Sequence, residues 1–549
     1  MSASTKDGFS VKLAIDLNGV DGDESLYEAG PLQLGLRLAG ETASLVKYDR
    51  DAGNYLAFAM PNGRCPVLEA TMEELRVGIP LGLLERPEDI HEVIVRYART
   101  HLSILMDGHV DDDMFKDPVL PFDTSSPKVL SARVKFADLS ISTSTDMLFR
   151  SPDSRKIEGS VQYWTPSDHN AWVGDVAPGV FEGRLHVFYL FDRRHHGSKK
   201  RKGGHYFAHL SSDDLVHWTE HPHAVEIEEW WETFGTGTPF VKDGKLCLAY
   251  GLHTSRLTDD VAFPIGGTYA LSDDGVHFVK SRAIFTDTQN PSVYNRPDGG
   301  YELVMGYGKT GEIQHSDDLA NWIVYDDKLP FGGDCPSLFD WHGRRYLLQG
   351  FSHMACSEDG EPGTFADWSE EPDVAYDGLA VPMVVPWQGD RRLYVGWLRH
   401  VAGWGGWLVF RELVFHSDGH LGLKWVPEIA PPTPPVTFRA ARGEKLLLRF
   451  STVDNHPALL FTVDPEKCEA SFADDVPEPE FTDRWHAANV KIGGLRCITD
   501  AYEVKMVIWY DRKADTTIFD AEIGGERTII CRRAGRFRLM DGLTLDIGG

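Results

Sequence analysis

The chain reads as an all-β protein, a five-bladed β-propeller flanked by N-terminal and C-terminal β-sandwich segments. Three recurring features predict this. A Ser-Asp-Asp turn appears as Ser212-Asp-Asp-Leu-Val-His-Trp218, Ser272-Asp-Asp-Gly-Val-His-Phe278 and Ser316-Asp-Asp-Leu-Ala-Asn-Trp322, with a looser copy from Ser357 to Trp368. Five Gly-led, aromatic-rich strands begin at Gly183, Gly244, Gly299, Gly343 and Gly389. A short apolar strand holding a proline precedes each of them, at Pro178, Pro239, Pro291, Pro336 and Pro382. Units of a few strands repeating about every 45–60 residues match propeller blades, and five copies imply five blades.

Taken in order, residues 1–152 are expected to form a β-sandwich of laminin-G or concanavalin-like type. Glu92-Val-Ile-Val-Arg-Tyr97 alternates as a half-buried strand should, and Leu102-Ser-Ile-Leu105 runs into Asp107-Gly108, a hairpin signal. The propeller occupies 153–430. The Ser/Asp clusters between its strands are turn formers, because their side chains bond nearby backbone. Pro427-Glu-Ile-Ala-Pro-Pro-Thr-Pro-Pro435 is a stiff linker. Beyond it, 431–549 carries strands such as Lys445–Phe450, Val504–Trp509 and Thr517–Phe519, a C-terminal sandwich. Whether two sandwiches flank the propeller or both flanks together build one is left open by the pattern.

Composition removes several classes of function. The 549 residues are 42% hydrophobic and 25% charged, an ordinary globular mix. With 83 acidic against 55 basic residues the net charge is −28, which argues against a nucleic-acid partner or an anionic membrane surface. No run approaches the roughly 18–20 apolar residues that span a bilayer, so no membrane partner is expected. The 7 cysteines are odd in number and contain no C-x-x-C pair, so neither a disulfide framework nor a zinc ribbon is expected. No H-E-x-x-H spacing occurs among the 22 histidines, and neither metal nor cofactor is expected. No signal-peptide pattern opens the sequence, which predicts a cytoplasmic protein unless a leader has been removed.

In a propeller the first strand of each blade lines the central channel, so the polar residues just ahead of the five prolines are the candidates for chemistry. They are Asp175 in Trp172-Val-Gly-Asp175-Val-Ala-Pro178, Glu232 and Thr236 before Pro239, Asn290 before Pro291, Asp334 before Pro336, and Asp377 before Pro382. Repeat arithmetic thus sets Asp175, Asp334 and Asp377 around one axis, with Asn290 and Glu232 between them. Two carboxylates across a pocket are the minimum for glycoside hydrolysis: one attacks the anomeric carbon or activates water, and the other protonates the leaving oxygen. The competing role for an Asp at a strand start is to cap a turn.

These residues sit in segments that resemble glycoside hydrolase family 32, the invertase, inulinase and levanase group. Trp172-Val-Gly-Asp175-Val-Ala-Pro178-Gly179 stands where the family has W-M-N-D-P-N-G. Phe207-Ala-His209-Leu-Ser-Ser-Asp-Asp-Leu-Val-His-Trp218 echoes W-G-H-A-x-S-x-D-L-x-x-W, and Thr236-Gly-Thr238 echoes S-G-S. Asp334-Cys335-Pro336-Ser337 stands for E-C-P-D, and Gln289-Asn290-Pro291 for R-D-P. Near the propeller's end, Trp404-Gly-Gly-Trp-Leu-Val-Phe-Arg411-Glu412-Leu resembles the P-R-E-L region, and Val426-Pro-Glu428 the closing P-V-P-E-L. The resemblance covers about residues 160–430.

It implies a five-bladed furanosidase acting on an oligo- or polysaccharide, with Asp175 as nucleophile, Asp334 as acid/base and Asn290 as sugar-hydroxyl ligand. Trp172, Glu232, Thr236, His209, Asp377 and Trp404 are the expected substrate contacts. Two departures, Asn290 for Asp and Asp334 for Glu, fall at the fructosyl subsite. The amide gives up charge-assisted hydrogen bonding, and the shorter acid retreats by roughly 1–1.5 Å, a displacement that can cost about 100-fold in rate. They allow a changed sugar or linkage, so arabinofuranosidase-like specificity and fructosyl transfer stay open, as does a non-catalytic carbohydrate-binding propeller. The basic run Arg193–Lys202 reads as a loop that either meets an anionic substrate group or is simply solvated.

Overall fold

The computed structural model describes residues 8–38, 66–72, 75–81, 89–98, 101–115, 126–142, 153–166, 171–192, 205–254, 263–288, 290–305, 311–331, 335–350, 353–357, 360–367, 377–400, 404–452, 458–475, 489–496 and 500–546. All regular elements among them are strands. Five antiparallel four-stranded blades follow in chain order. Their inner strands are Trp172–Phe181 in blade one, Glu232–Gly235 with Pro239–Lys242 in blade two, Ser292–Asn295 in blade three, Ser337–Trp341 in blade four and Ala380–Trp387 in blade five.

The repeats seen in the sequence are repeats of turn chemistry. Glu182-Gly183, Asp243-Gly244 and His342-Gly343 all have two successive positive φ values (51° and 79°, 52° and 76°, 51° and 75°), the tight hairpin whose twist suits paired strands. In the Ser-Asp-Asp turns the second Asp is the organiser. Asp214 Oδ1 accepts the amides of Val216 and His217 (2.9 and 2.8 Å), and Asp318 Oδ1 accepts those of Ala320 and Asn321 (both 2.8 Å). Those amides hold the Asp318 carboxyl down at about 2. The next residue must turn left-handed: Gly275 does so in blade two, whereas the buried Leu215 and Leu319 (φ 66° and 65°) do so in blades one and three.

The ring closes through contacts between neighbouring inner strands. Thr238 Oγ1 exchanges hydrogen bonds with Val293 (both 2.7 Å), Tyr294 Oη bonds Pro336 O and Leu338 N (both 3.2 Å), and Val384 N donates to Ser337 Oγ (3.0 Å). Val173 pairs with Gly406, which joins blade one to blade five in one continuous sheet. Each flank builds its own pair of sheets, five strands on five before the propeller and four on five after it. The first pair encloses a core that includes Phe9, Leu34, Leu68, Val95 and Ile104, and the core of the second is continuous with propeller residues such as Trp172 and Trp407.

The N-terminal sandwich docks on blade one through polar groups. Tyr206 Oη donates to the carboxylate of Asp113, which also meets His101 Nε2 at 3.0 Å, and Phe115 joins the propeller core. Between blades one and two lies a stack of buried histidines. His186 Nδ1 and His209 Nε2 are 2.9 Å apart, and the His209 and His221 rings lie 4.5 Å apart. Burial, then mutual repulsion, pushes His186 down to about 3 and His209 well below its ordinary value; burial and nearby cations push His221 down to about 4.

The unfolded chain takes up these protons near pH 6.5 while the folded chain refuses them, so folding draws on this stability in full above pH 6.5 and loses it as pH falls towards 4 and 3. The thermal midpoint is expected to drop steadily between pH 7 and 4.5, and His209→Phe, which keeps the stack with Phe188, should flatten that slope. An unchanged slope in the variant would remove the cluster as its source.

Candidate active site

Asp175 is placed by a bulge. The ladder between the blade-one inner strand and Arg184–Asp192 shifts register between Val173 and Val176, which takes Gly174 and Asp175 out of the regular pairing. Bulges re-aim side chains in this way at functional sites. Asp175 is half-buried, and its Oδ2 lies 3.7 Å from the Cys335 thiol. Cys335 opens blade four, which is not adjacent to blade one in the ring, so the contact crosses the channel. Cys335 itself has φ 56°, a left-handed conformation that costs a non-glycine residue about 1–2 kcal/mol and that clusters at functional sites. Asp334, the residue before it, lies outside the described residues, as do Gln289 and the basic run from Arg193.

Trp404 packs against the strand that carries Asp175. A Cβ on Gly174 would stand 2.2 Å from the Trp404 ring, so only glycine admits the indole there. The Trp404 ring stacks on His205 at 5.0 Å, and His205 faces Asp192 at 3.3 Å. Asn290 is half-buried, just ahead of the blade-three inner strand. Thr236 is fully buried between the two halves of the blade-two inner strand, and its hydroxyl has no partner among the described residues. Gly237 beside it is needed because a Cβ would come within 1.9 Å of Ala249 O.

Four expected substrate contacts are structural instead. Trp172 is fully buried, edge-on to Trp407 at 5.8 Å and under the Lys513 ammonium at 4.6 Å. His209 belongs to the buried histidine stack. Glu232 accepts the amides of Glu228 and Glu229 (2.8 and 3.2 Å) and pairs with Lys280 at 2.7 Å, which ties down a loop. Asp377 is not at the channel mouth: it is fully buried against the C-terminal sandwich, where it meets Arg411 Nε at 3.4 Å and Thr528 Oγ1 at 2.9 Å. Glu232 and Asp377 were read from their spacing to a blade proline, and Trp172 and His209 from segments that resemble family motifs; neither signal reports which side of a strand is covered by another domain. Cys335 is the residue that spacing missed, since a small buried thiol carries no charge to mark it.

A cavity of about 250 Å³ lies towards the other end of the channel, beside Pro178, Tyr294, Asp340, Val384 and Arg392. Its carboxylates are taken up by Arg345, which meets Asp340 at 2.8 Å and Glu302 at 3.0 Å. No group of three or more His, Cys, Asp or Glu able to hold a metal occurs among the described residues.

The fold defines the class, a five-bladed β-propeller with a C-terminal β-sandwich, here with a carboxylate facing across its channel. Residues 169–356 match the glycosyl hydrolases family 32 N-terminal domain. Among curated relatives, a sucrose-6-phosphate hydrolase of Escherichia coli is 25% identical over 297 residues, 46% of this chain and 61% of its own length. This chain therefore spans less than two thirds of that relative. A raffinose invertase of Escherichia coli is 23% identical over 359 residues, 53% of this chain and 74% of its own. Among solved structures, an exo-inulinase of Aspergillus awamori shares the fold with a TM-score of 0.51 at 16% identity, covering 70% of this chain and 96% of its own. A Bombyx mori GH32 beta-fructofuranosidase aligns with a TM-score of 0.50 at 17% identity, covering 71% and 91%.

Proposed function

We propose that the protein hydrolyses β-fructofuranosidic bonds by a retaining mechanism, with Asp175 as nucleophile and Asp334 as acid/base. The observation that carries this is the 3.7 Å approach of Cys335 to Asp175 across the channel, because Cys335 is covalently next to Asp334. In a retaining pair the two carboxyls stand about 5–5.5 Å apart, so that one carboxylate attacks C2 of the fructosyl unit while the other protonates the departing oxygen. The fructosyl-enzyme is then released by water activated at the same acid/base group. Relatives named for sucrose-6-phosphate hydrolysis and raffinose inversion support a sucrose-type substrate. Asn290 would hold a fructosyl hydroxyl and Trp404 would wall the same subsite.

The test is a product assay on sucrose, sucrose 6-phosphate, inulin, levan and an aryl furanoside, using wild type and Asp334→Ala. Loss of the acid should cost about 10²–10⁴-fold on sucrose and far less on the aryl furanoside, whose leaving group departs with little protonation. Equal losses on both substrates would remove Asp334 from the acid role. Sugar binding with no turnover in the wild type would favour a lectin-like propeller.

A further inference from the structure

The segment that leads into the nucleophile strand is held by a residue from another domain. Lys513 sits in the hairpin turn between Ala501–Asp511 and Thr516–Ile523 of the C-terminal sandwich. Its ammonium donates to Ala171 O at 2.7 Å, to Pro166 O at 2.8 Å and to Thr165 Oγ1 at 3.3 Å. It also lies 4.6 Å from the centre of the Trp172 ring. One cation thus bridges two carbonyls on either side of residues 167–170 and caps the first side chain of the strand that carries Asp175. The turn that presents Lys513 is itself pinned: Asp511 Oδ1 accepts the Lys513 amide at 2.9 Å, and Asp511 Oδ2 accepts Trp407 Nε1 of blade five at 2.7 Å.

We propose that Lys513 is a positioning residue for the nucleophile, through which the C-terminal sandwich sets the placement of Asp175. Trp172 cannot shift while its backbone neighbour Ala171 is held by the ammonium and its ring is packed between Trp407 and His400 (5.8 and 4.6 Å). Asp175 follows three residues later, in a bulge where the ladder itself does not fix it. A carbonyl pair gathered by a charged donor is worth more than neutral contacts would be. The inference rests on Asp175 being the nucleophile.

The test uses the full chain carrying Lys513→Met, which keeps the apolar stem and loses the charge, and Lys513→Arg, which restores donors to the two carbonyls. In Lys513→Met, kcat should fall about 10- to 100-fold, the scale expected of a nucleophile displaced by roughly an ångström, with KM changed less than threefold. The acid limb of the kcat/KM profile, which reports the free-enzyme carboxylate, should move to higher pH because a positive charge is lost from the start of the strand that carries it. Lys513→Arg should recover most of both. Amide exchange of residues 171–176, read on the same proteins, should quicken in Lys513→Met whether or not any sugar is cleaved, so failure of the hydrolase reading shows itself separately as an inactive wild type. Should Lys513→Met not fold, Lys513→Gln, which is uncharged but keeps two N–H donors, decides by the same readouts. A folded variant with a lowered melting point but unchanged kcat, acid limb and exchange would make Lys513 merely structural and overturn the proposal.

Discussion

Asp175→Asn is expected to cut turnover of any fructoside by at least about 10⁴-fold, the scale seen when a covalent nucleophile is removed, while leaving the fold intact. The amide is isosteric with the carboxylate, so the 3.7 Å contact with Cys335 and the bulge between Val173 and Val176 survive; only the nucleophilic charge is lost. KM should change little, because the residue acts on the anomeric carbon and not on the rest of the sugar. The readout is kcat on the best substrate of the panel, with circular dichroism and the melting curve as controls. Activity within tenfold of wild type would eliminate Asp175 and with it the proposed site.

Arg411→Met is expected to produce the largest loss of stability. The guanidinium is fully buried between two carboxylates of different domains, Asp377 at 3.4 Å and Asp520 at 2.8 Å. Tyr163 Oη donates to the second oxygen of Asp520 at 2.6 Å. Burial pushes the Asp520 carboxyl up even beside the arginine, so the cluster is held together by that cation. Methionine fills the volume and strands two buried carboxyls, at a cost of about 3–5 kcal/mol. Denaturant unfolding followed by tryptophan fluorescence should show the midpoint falling accordingly. Adding Asp377→Asn and Asp520→Asn should recover a substantial part, since a neutral cluster needs no counter-charge. A midpoint shift worth less than about 1 kcal/mol would mean the cluster is relaxed by water or rearrangement.

Much of the architecture is legible in the chain because local chemistry repeats. The same Ser-Asp-Asp turn must form wherever its side chains can collect the same amides, as they do at Asp214, Asp274 and Asp318. Positive-φ pairs such as Asp243-Gly244 must reverse the strand. Those signals span only a few residues, so no long-range information is needed to read them. Asp175 stands out in the sequence for a related reason: it falls at a repeat position whose partners in other blades are also polar, and its neighbouring residues resemble a known motif.

The misreadings share a cause. Trp172, His209, Glu232 and Asp377 carry the right chemistry for a sugar site and sit near the right prolines or in segments that resemble the right motifs. Their actual partners come from remote segments: Lys513 and Trp407 for Trp172, His186 for His209, Lys280 for Glu232, Arg411 and Thr528 for Asp377. A buried charge needs a compensating partner and a buried aromatic needs a packed surface, and neither requirement announces in sequence which distant residue will meet it.

Alone, the amino-acid order determined the strand-and-turn units, their number and the acidic residue around which the chemistry is proposed. These follow from side chains bonding their own neighbouring backbone, an interaction with a range of a few residues. Tertiary structure decided that the flanks form two sandwiches and not one, that the C-terminal one reaches the strand of Asp175 through Lys513, and that Cys335 rather than Asp377 meets Asp175. Those outcomes depend on which surfaces are brought together when apolar faces leave water, a driving force that is non-directional and so leaves no local mark on the chain.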